Sequence, residues 1–312
     1  MKAISKIISV IICVSFLVAL VGYKAFSQQG IERGTITIDG VRLNYLAEGK
    51  GTPCLVIGSS VYYPRIFSQQ LRESLRLYFL DMRWFVSDKS ITPLSEYTIQ
   101  SIADDIETMR KALKLKKIII IGHSIHGNIV LDYARRYPAN VSHVVMIGSP
   151  AIYGSKEANE AMMDFRKNAT SERMETLQKN WEAERDSINK LNPSDRFIQT
   201  YVTNGPLYWH DYKYDCSKLW SGMVVNTDVT NHIFQKLYLN YDVGASTTVI
   251  SQPVYVMLGK HDYVVPYTEW KSGYTNMPKM KLTLFEKSGH TPPFEEPELF
   301  DQQLISWIKS NK

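Results

Sequence analysis

The stretch Ile118-Ile119-Ile120-Ile121-Gly122-His123-Ser124-Ile125-His126-Gly127 joins a strand pattern to a helix pattern through a turn of three residues. Four isoleucines in a row suit a strand covered on both faces, because a half-exposed strand alternates apolar with polar residues. Residues 125–137 then carry apolar side chains at helical spacing, and Pro138 ends the pattern. A serine with glycine two residues before it, set between such a strand and helix, sits on a sharp turn. That turn lifts its hydroxyl off the end of the strand. Serine is also a favoured helix N-cap, so Ser124 alone does not decide the chemistry.

Working outward, short apolar runs recur at 54–57, 77–80, 144–147, 254–258 and 282–285. Each suits a strand buried on both faces, as in a parallel sheet. Helical patterns lie between them. Ile99, Ile102, Ile106, Met109 and Leu113 form one apolar stripe. Phe300, Leu304 and Trp307 form another, in a helix starting near Pro297, with Glu295, Glu296 and Glu298 suited to its positive end. Residues 35–38 and 41–45 alternate around Asp39-Gly40, a hairpin signal. Strand and helix alternate, which predicts an α/β fold: a mostly parallel sheet flanked by helices. Residues 151–247 interrupt the alternation with helical, charged and aromatic segments. They read as a helical cap insertion between core segments 28–150 and 248–312.

A hydroxyl is a weak nucleophile and needs a base, and the base needs a third group to orient it. After the run at 254–258 comes Gly259-Lys260-His261-Asp262-Tyr263-Val264-Val265-Pro266, and after 282–285 comes Ser288-Gly289-His290-Thr291-Pro292-Pro293. With these motifs the chain resembles the α/β-hydrolase superfamily from residue 33 to 310, the cap matching in position only. The resemblance implies that Ser124 is the nucleophile, Asp262 the acid of Gly-x-x-Asp-x-x-x-Pro, and His290 the base within Ser-Gly-His. By position it also implies an oxyanion hole made by the backbone N–H groups of Ser60 and Ile125, with Ser59 the neighbouring candidate. His123, His143, His210, His232 and His261 lack such placement and read as structural or solvent-exposed.

Three positions depart from the family pattern. His126 stands at the fifth position of the elbow, where small residues relieve crowding. The first buried strand ends Ile57-Gly58-Ser59-Ser60-Val61 rather than in His-Gly. Asp81-Met82-Arg83-Trp84-Phe85 stands where the family often has Asp-x-Arg-Gly-x-Gly.

The expected activity is hydrolysis of a carboxylic ester or amide through an acyl-enzyme on Ser124. Serine at the elbow argues against the branches whose nucleophile is a carboxylate. The insertion offers Trp181, Phe197, Tyr201, Tyr208, Trp209, Tyr212, Tyr214 and Trp220 for packing or for an apolar pocket. It also offers Glu157, Glu160, Glu182 and Glu184, which would hold an amino terminus in a proline-iminopeptidase-like aminopeptidase. An alternative from another class is a non-catalytic binding protein on a hydrolase fold. His126 and the altered Gly58-Ser59-Ser60 loop favour it, and the full set of three reactive groups argues against it.

Composition narrows the partners. With 312 residues, 44% hydrophobic and 21% charged, the chain is neither disordered nor a disulfide-stapled miniprotein. The formal charge is +5, but Lys2, Lys6 and Lys24 lie in a leader without acids, and removing those three leaves +2. No basic stripe points to nucleic acid. The partner implied is a small ester, amide or short peptide. Cys13, Cys54 and Cys216 show no spacing that demands a disulfide, and no cluster has zinc-ligand spacing, so no cofactor is expected. Residues 1–27 read as a signal peptide, with cleavage before Gln28, or as a membrane anchor through residues 7–23. Either places the bulk of the protein outside the cytoplasm.

Overall fold

The computed structural model describes residues 30–86, 93–271 and 273–311. The expected leader or anchor lies outside the described residues. Among the described residues no helix is long and apolar enough to cross a membrane.

The hairpin forms where the alternation placed it. Strands β1 (Glu32–Ile38) and β2 (Val41–Gly49) pair antiparallel, with Ile38 opposite Val41. Asp39 and Gly40 both take positive φ, 50° and 80°, which matches the twist of a two-residue hairpin turn. Six further strands follow: β3 (Thr52–Gly58), β4 (Leu75–Asp81), β5 (Ile118–His123), β6 (Val141–Ile147), β7 (Val254–Gly259) and β8 (Met280–Phe285). They join one sheet in the order β1-β2-β4-β3-β5-β6-β7-β8. β2 runs antiparallel to β1 and β4, and every pair from β4 to β8 is parallel.

The isoleucine run shows why the sheet needs cover on both faces. Ile118 and Ile120 enter one core layer and Ile119 and Ile121 the other, and none has measurable exposure. Helices α1 (Ile99–Ala112) and α2 (Ile125–Arg136) cover the first face through Ile102, Ile106 and Ile129. The C-terminal helix, Pro297–Ser310, covers the second through Phe300, Leu304 and Trp307. Burying one such side chain stabilises the fold by about 1.5–3 kcal/mol. The last strand departs from the reading of burial on both faces. β8 is an edge strand with one neighbour, so Leu282 is 38% exposed and only Phe285 is buried.

Between β6 and β7 the chain leaves the sheet. It passes through helices α3 (Ser155–Asn168), α4 (Ser171–Glu184) and α5 (Pro193–Thr203) and several shorter turns. Ile152–Tyr153 pairs antiparallel with Tyr241–Asp242, so the outgoing and returning chains meet at the base of this helical segment. Cys54 and Cys216 are separate buried thiols.

Candidate active site

Ser124 has φ 57° and ψ −136°, a left-handed backbone that costs a non-glycine residue on the order of 1–3 kcal/mol. Its N–H donates to the Ile147 carbonyl at 2.8 Å, and its carbonyl accepts from Gly127 at 2.9 Å, so strand and helix together hold the strain. The crowding of this turn falls on Gly122, where a Cβ would stand 2.1 Å from the His126 carbonyl oxygen. It does not fall on the side chain of position 126.

His126 instead leaves the turn and stacks on Trp84, with ring centroids 5.6 Å apart and planes at 15°. The Trp84 indole N–H donates to His126 Nε2 at 3.1 Å. Two departures from the family pattern thus account for each other: the imidazole occupies the space beside an indole that stands where a glycine was expected. Burial pushes the His126 imidazole down to about 4, so it is neutral near pH 7.

The loops after β7 and β8 bring an acid and a base together. Asp262 is 3% exposed and His290 5%. Asp262 Oδ1 accepts the N–H groups of Val264 and Val265, both at 2.9 Å, which fixes the carboxylate. Its Oδ2 lies 2.7 Å from His290 Nδ1. The His290 carbonyl accepts from His123 Nε2 at 2.9 Å, and the His290 N–H donates to the Tyr208 carbonyl. Burial, and then the neighbouring His290, hold the His123 imidazole well below its usual range. It is therefore a neutral strut inside the site, the structural rather than the solvent-exposed alternative of the sequence reading.

Glu295 and Glu296 correct another expectation. Neither carboxyl caps the helix that begins at Pro297. Glu295 accepts the N–H groups of His210 at 2.7 Å, Gly289 at 3.0 Å and Thr291 at 3.1 Å. Glu296 accepts from the Lys287 N–H at 2.9 Å and the Ser288 hydroxyl at 2.7 Å. The two acids clamp the loop that carries His290. Burial raises Glu295 to about 7, against the opposing pull of its three N–H donors.

Ser124 and His290 lie on the wall of one cavity of about 300 Å³. Ser59, His123, Ile125 and His126 form its floor beside them. The backbone of Ser60 is not available to it, because the Ser60 N–H donates to Asp81 Oδ1 at 2.6 Å. Ser59, the neighbouring residue, faces the cavity instead. Of the two candidates the sequence offered beside Ile125, Ser60 thus has its N–H engaged by a carboxylate on β4, and Ser59 is the one that lines the cavity.

Another part of the lining is aromatic. Phe197, Tyr201, Tyr208, Trp209 and Trp220 form it, whereas Trp181, Tyr212 and Tyr214 do not. Of the four acids offered by the insertion, only Glu157 reaches the cavity. Glu269, on the loop after Asp262, joins it. Its Oε2 is buried without a hydrogen-bond partner, and burial, with Glu157 next in effect, raises it to about 8. Among the described residues no cluster of His, Cys, Asp and Glu could hold a metal ion.

Comparison with known proteins adds the family. The model of the alpha/beta hydrolase fold matches residues 56–297. The chain belongs to the α/β-hydrolase fold family. It is 32% identical to the AB hydrolase superfamily protein YclE of Bacillus subtilis (strain 168), over 86% of this chain and 96% of that protein. It is 23% identical to the proline iminopeptidase PfmaB of Pestalotiopsis fici, over 77% of this chain and 83% of that one. An alpha/beta fold family hydrolase from Bacillus anthracis superposes with a TM-score of 0.65 and 21% identity, covering 90% of this chain and 99% of its own. This α/β-hydrolase thus shares between 77% and 90% of its length, not one motif, with these relatives, which supports an enzyme.

Proposed function

We propose that the protein is a serine hydrolase of carboxylic esters or amides. One observation carries the reading. A strained, cavity-facing Ser124 shares the cavity wall with His290, whose Nδ1 is bound to a buried, N–H-fixed Asp262. Ser124 Oγ attacks the substrate carbonyl carbon while His290 Nε2 takes the hydroxyl proton. Asp262 keeps the ring oriented and stabilises its charged form. The N–H of Ile125, at the first position of α2, has no acceptor within its own helix. With the N–H of Ser59 it receives the developing oxyanion. Collapse of the tetrahedral intermediate expels the alcohol or amine, which takes the proton from His290. Water, deprotonated by His290, then releases the acid and restores Ser124.

The test is labelling of the full chain with a fluorophosphonate, beside Ser124→Ala and His290→Ala. Labelling of the wild type alone supports the mechanism. A labelled Ser124→Ala, or a folded wild type that stays unlabelled, defeats it. A second reading, an aminopeptidase, is favoured by the buried Glu269 Oε2, which has no hydrogen-bond partner, in the same cavity as Glu157. A substrate ammonium there would ionise Glu269 and pair with it. Faster hydrolysis of aminoacyl amides with a free amine than of their N-acetyl forms supports that reading, and the reverse order removes it.

A further inference from the structure

The hydrogen bonds around His126 fix the position of a proton that the mechanism above does not use. An indole N–H only donates, so the Trp84 contact at 3.1 Å leaves His126 Nε2 unprotonated. The buried ring is neutral, and its one proton therefore sits on Nδ1. Two oxygens face that nitrogen, the His123 carbonyl at 3.1 Å and the Tyr63 hydroxyl at 3.2 Å. The carbonyl can only accept. The Tyr63 hydroxyl cannot donate there, because no lone pair remains on Nδ1 to receive its proton. The hydroxyl proton of Tyr63 is thereby turned away from His126.

The position of that hydroxyl is fixed as tightly as its direction. Tyr63 is 4% exposed, and its ring lies against Gly58, where a Cβ would stand 2.4 Å from the ring edge and 3.3 Å from the hydroxyl oxygen. Only glycine at the end of β3 lets the ring come so close. The ring stands edge-on to His123 and His126, at centroid distances of 6.0 and 6.1 Å. Tyr63 thus sits where the end of β3 meets the turn after β5, and it lines the same cavity as Ser59, Ser124 and Ile125.

We propose that the Tyr63 hydroxyl is a third hydrogen-bond donor to the substrate carbonyl oxygen, beside the N–H groups of Ser59 and Ile125, and that the Trp84–His126 pair sets its donor direction. The inference rests on the serine-hydrolase reading of the same site. As the carbonyl carbon becomes tetrahedral its oxygen gains charge, and a fixed donor strengthens with that charge. Burial raises the phenol well above its ordinary value, so Tyr63 donates a hydrogen bond without giving up its proton. Trp84 and His126 are positioning residues in this scheme, acting through Tyr63.

Tyr63→Phe removes one oxygen and tests the donor directly. The expected result is a loss in kcat of about 100- to 1,000-fold, with KM within about threefold of wild type and an unchanged thermal midpoint. A trifluoromethyl ketone, which adds Ser124 to form a stable tetrahedral oxyanion, should bind more weakly by a similar factor. Binding of the product acid should not change. Trp84→Phe tests the same bond from its other end. Without the indole donor His126 is free to protonate Nε2, Tyr63 then donates to Nδ1, and kcat falls with KM unchanged. Wild-type kcat and ketone affinity in Tyr63→Phe, or a loss confined to KM, overturn the proposal. If either occurs while Ser124→Ala remains inert, the serine reading survives. If Ser124→Ala turns over substrate, both fall together.

Discussion

The two walls of the cavity are built on different terms. On and just behind the floor, the polar groups have directional partners: Asp262 is held by Val264 and Val265, His290 by Asp262 and His123, and His126 by Trp84. The aromatic wall is held mainly by ring against ring. Tyr201 meets Tyr208 at 5.3 Å and Trp220 at 5.0 Å, and Trp220 meets Tyr62 at 4.7 Å. Hydrogen bonds fix distance and angle, whereas aromatic contacts tolerate sliding and repacking. A floor group misplaced by about an ångström can cost on the order of 100-fold in rate. The aromatic wall can exchange one ring for another and change only what fits. The walls are tied at Tyr208, whose carbonyl receives the His290 N–H. Arg173 of α4 braces that tie from behind, donating to the carbonyls of Pro206, Trp209 and His210.

Substitutions that strike one wall at a time measure this difference. On the floor, Asp262→Asn keeps the shape but no longer holds the His290 tautomer, and kcat should fall by about 10⁴. Steady-state kinetics of the folded variant check this, and a loss under tenfold would show the floor to be as forgiving as the aromatic wall. The next effect is on stability. His126 has its pKa depressed from 6.5 to about 4 in the folded chain, so folding favours the neutral ring. The contribution is fully present above the unfolded value and is lost as pH falls from 6.5 towards 4, by about 3 kcal/mol. Urea denaturation at successive pH values should show that slope in the wild type and a flatter one in His126→Asn. Equal slopes would mean that the ring is not held neutral. The smallest effect should come from the aromatic wall. Phe197→Ala should shift KM among acyl chain lengths by about tenfold, the worth of one or two lost methylene contacts. The rate of fluorophosphonate labelling should stay within about twofold. A large fall in labelling would join the walls into one unit.

Much of this was legible along the chain. The buried runs give the strands because a parallel sheet demands apolar residues on both faces, and Asp39-Gly40 gives the hairpin because both residues tolerate positive φ. The serine, acid and histidine motifs follow their strands in order; Ser124 and His290 line one cavity, and Asp262 bonds His290 from behind it. The engagement of the Ser60 N–H was not legible, because the Asp81 carboxylate that accepts it comes from a neighbouring strand 21 residues on. Glu295 and Glu296 were read against the helix they precede, and they bond the loop behind them instead. Trp84 gave no signal towards His126, 42 residues away. Glu269 gave none towards the cavity, because no periodicity places a loop carboxyl.

The sequence by itself determined the α/β alternation, the hairpin, the turn that exposes Ser124 and the loops that carry Asp262 and His290. All of these follow from local spacing and from which faces must be buried. Only the packed fold set the Ser60 N–H against Asp81, the indole of Trp84 against His126, and Glu157 and Glu269 in one cavity with Ser124. Those outcomes depend on hydrogen-bond partners far apart in the chain. A buried polar group takes whichever partner the packed fold sets beside it, and the order of residues does not name that partner in advance.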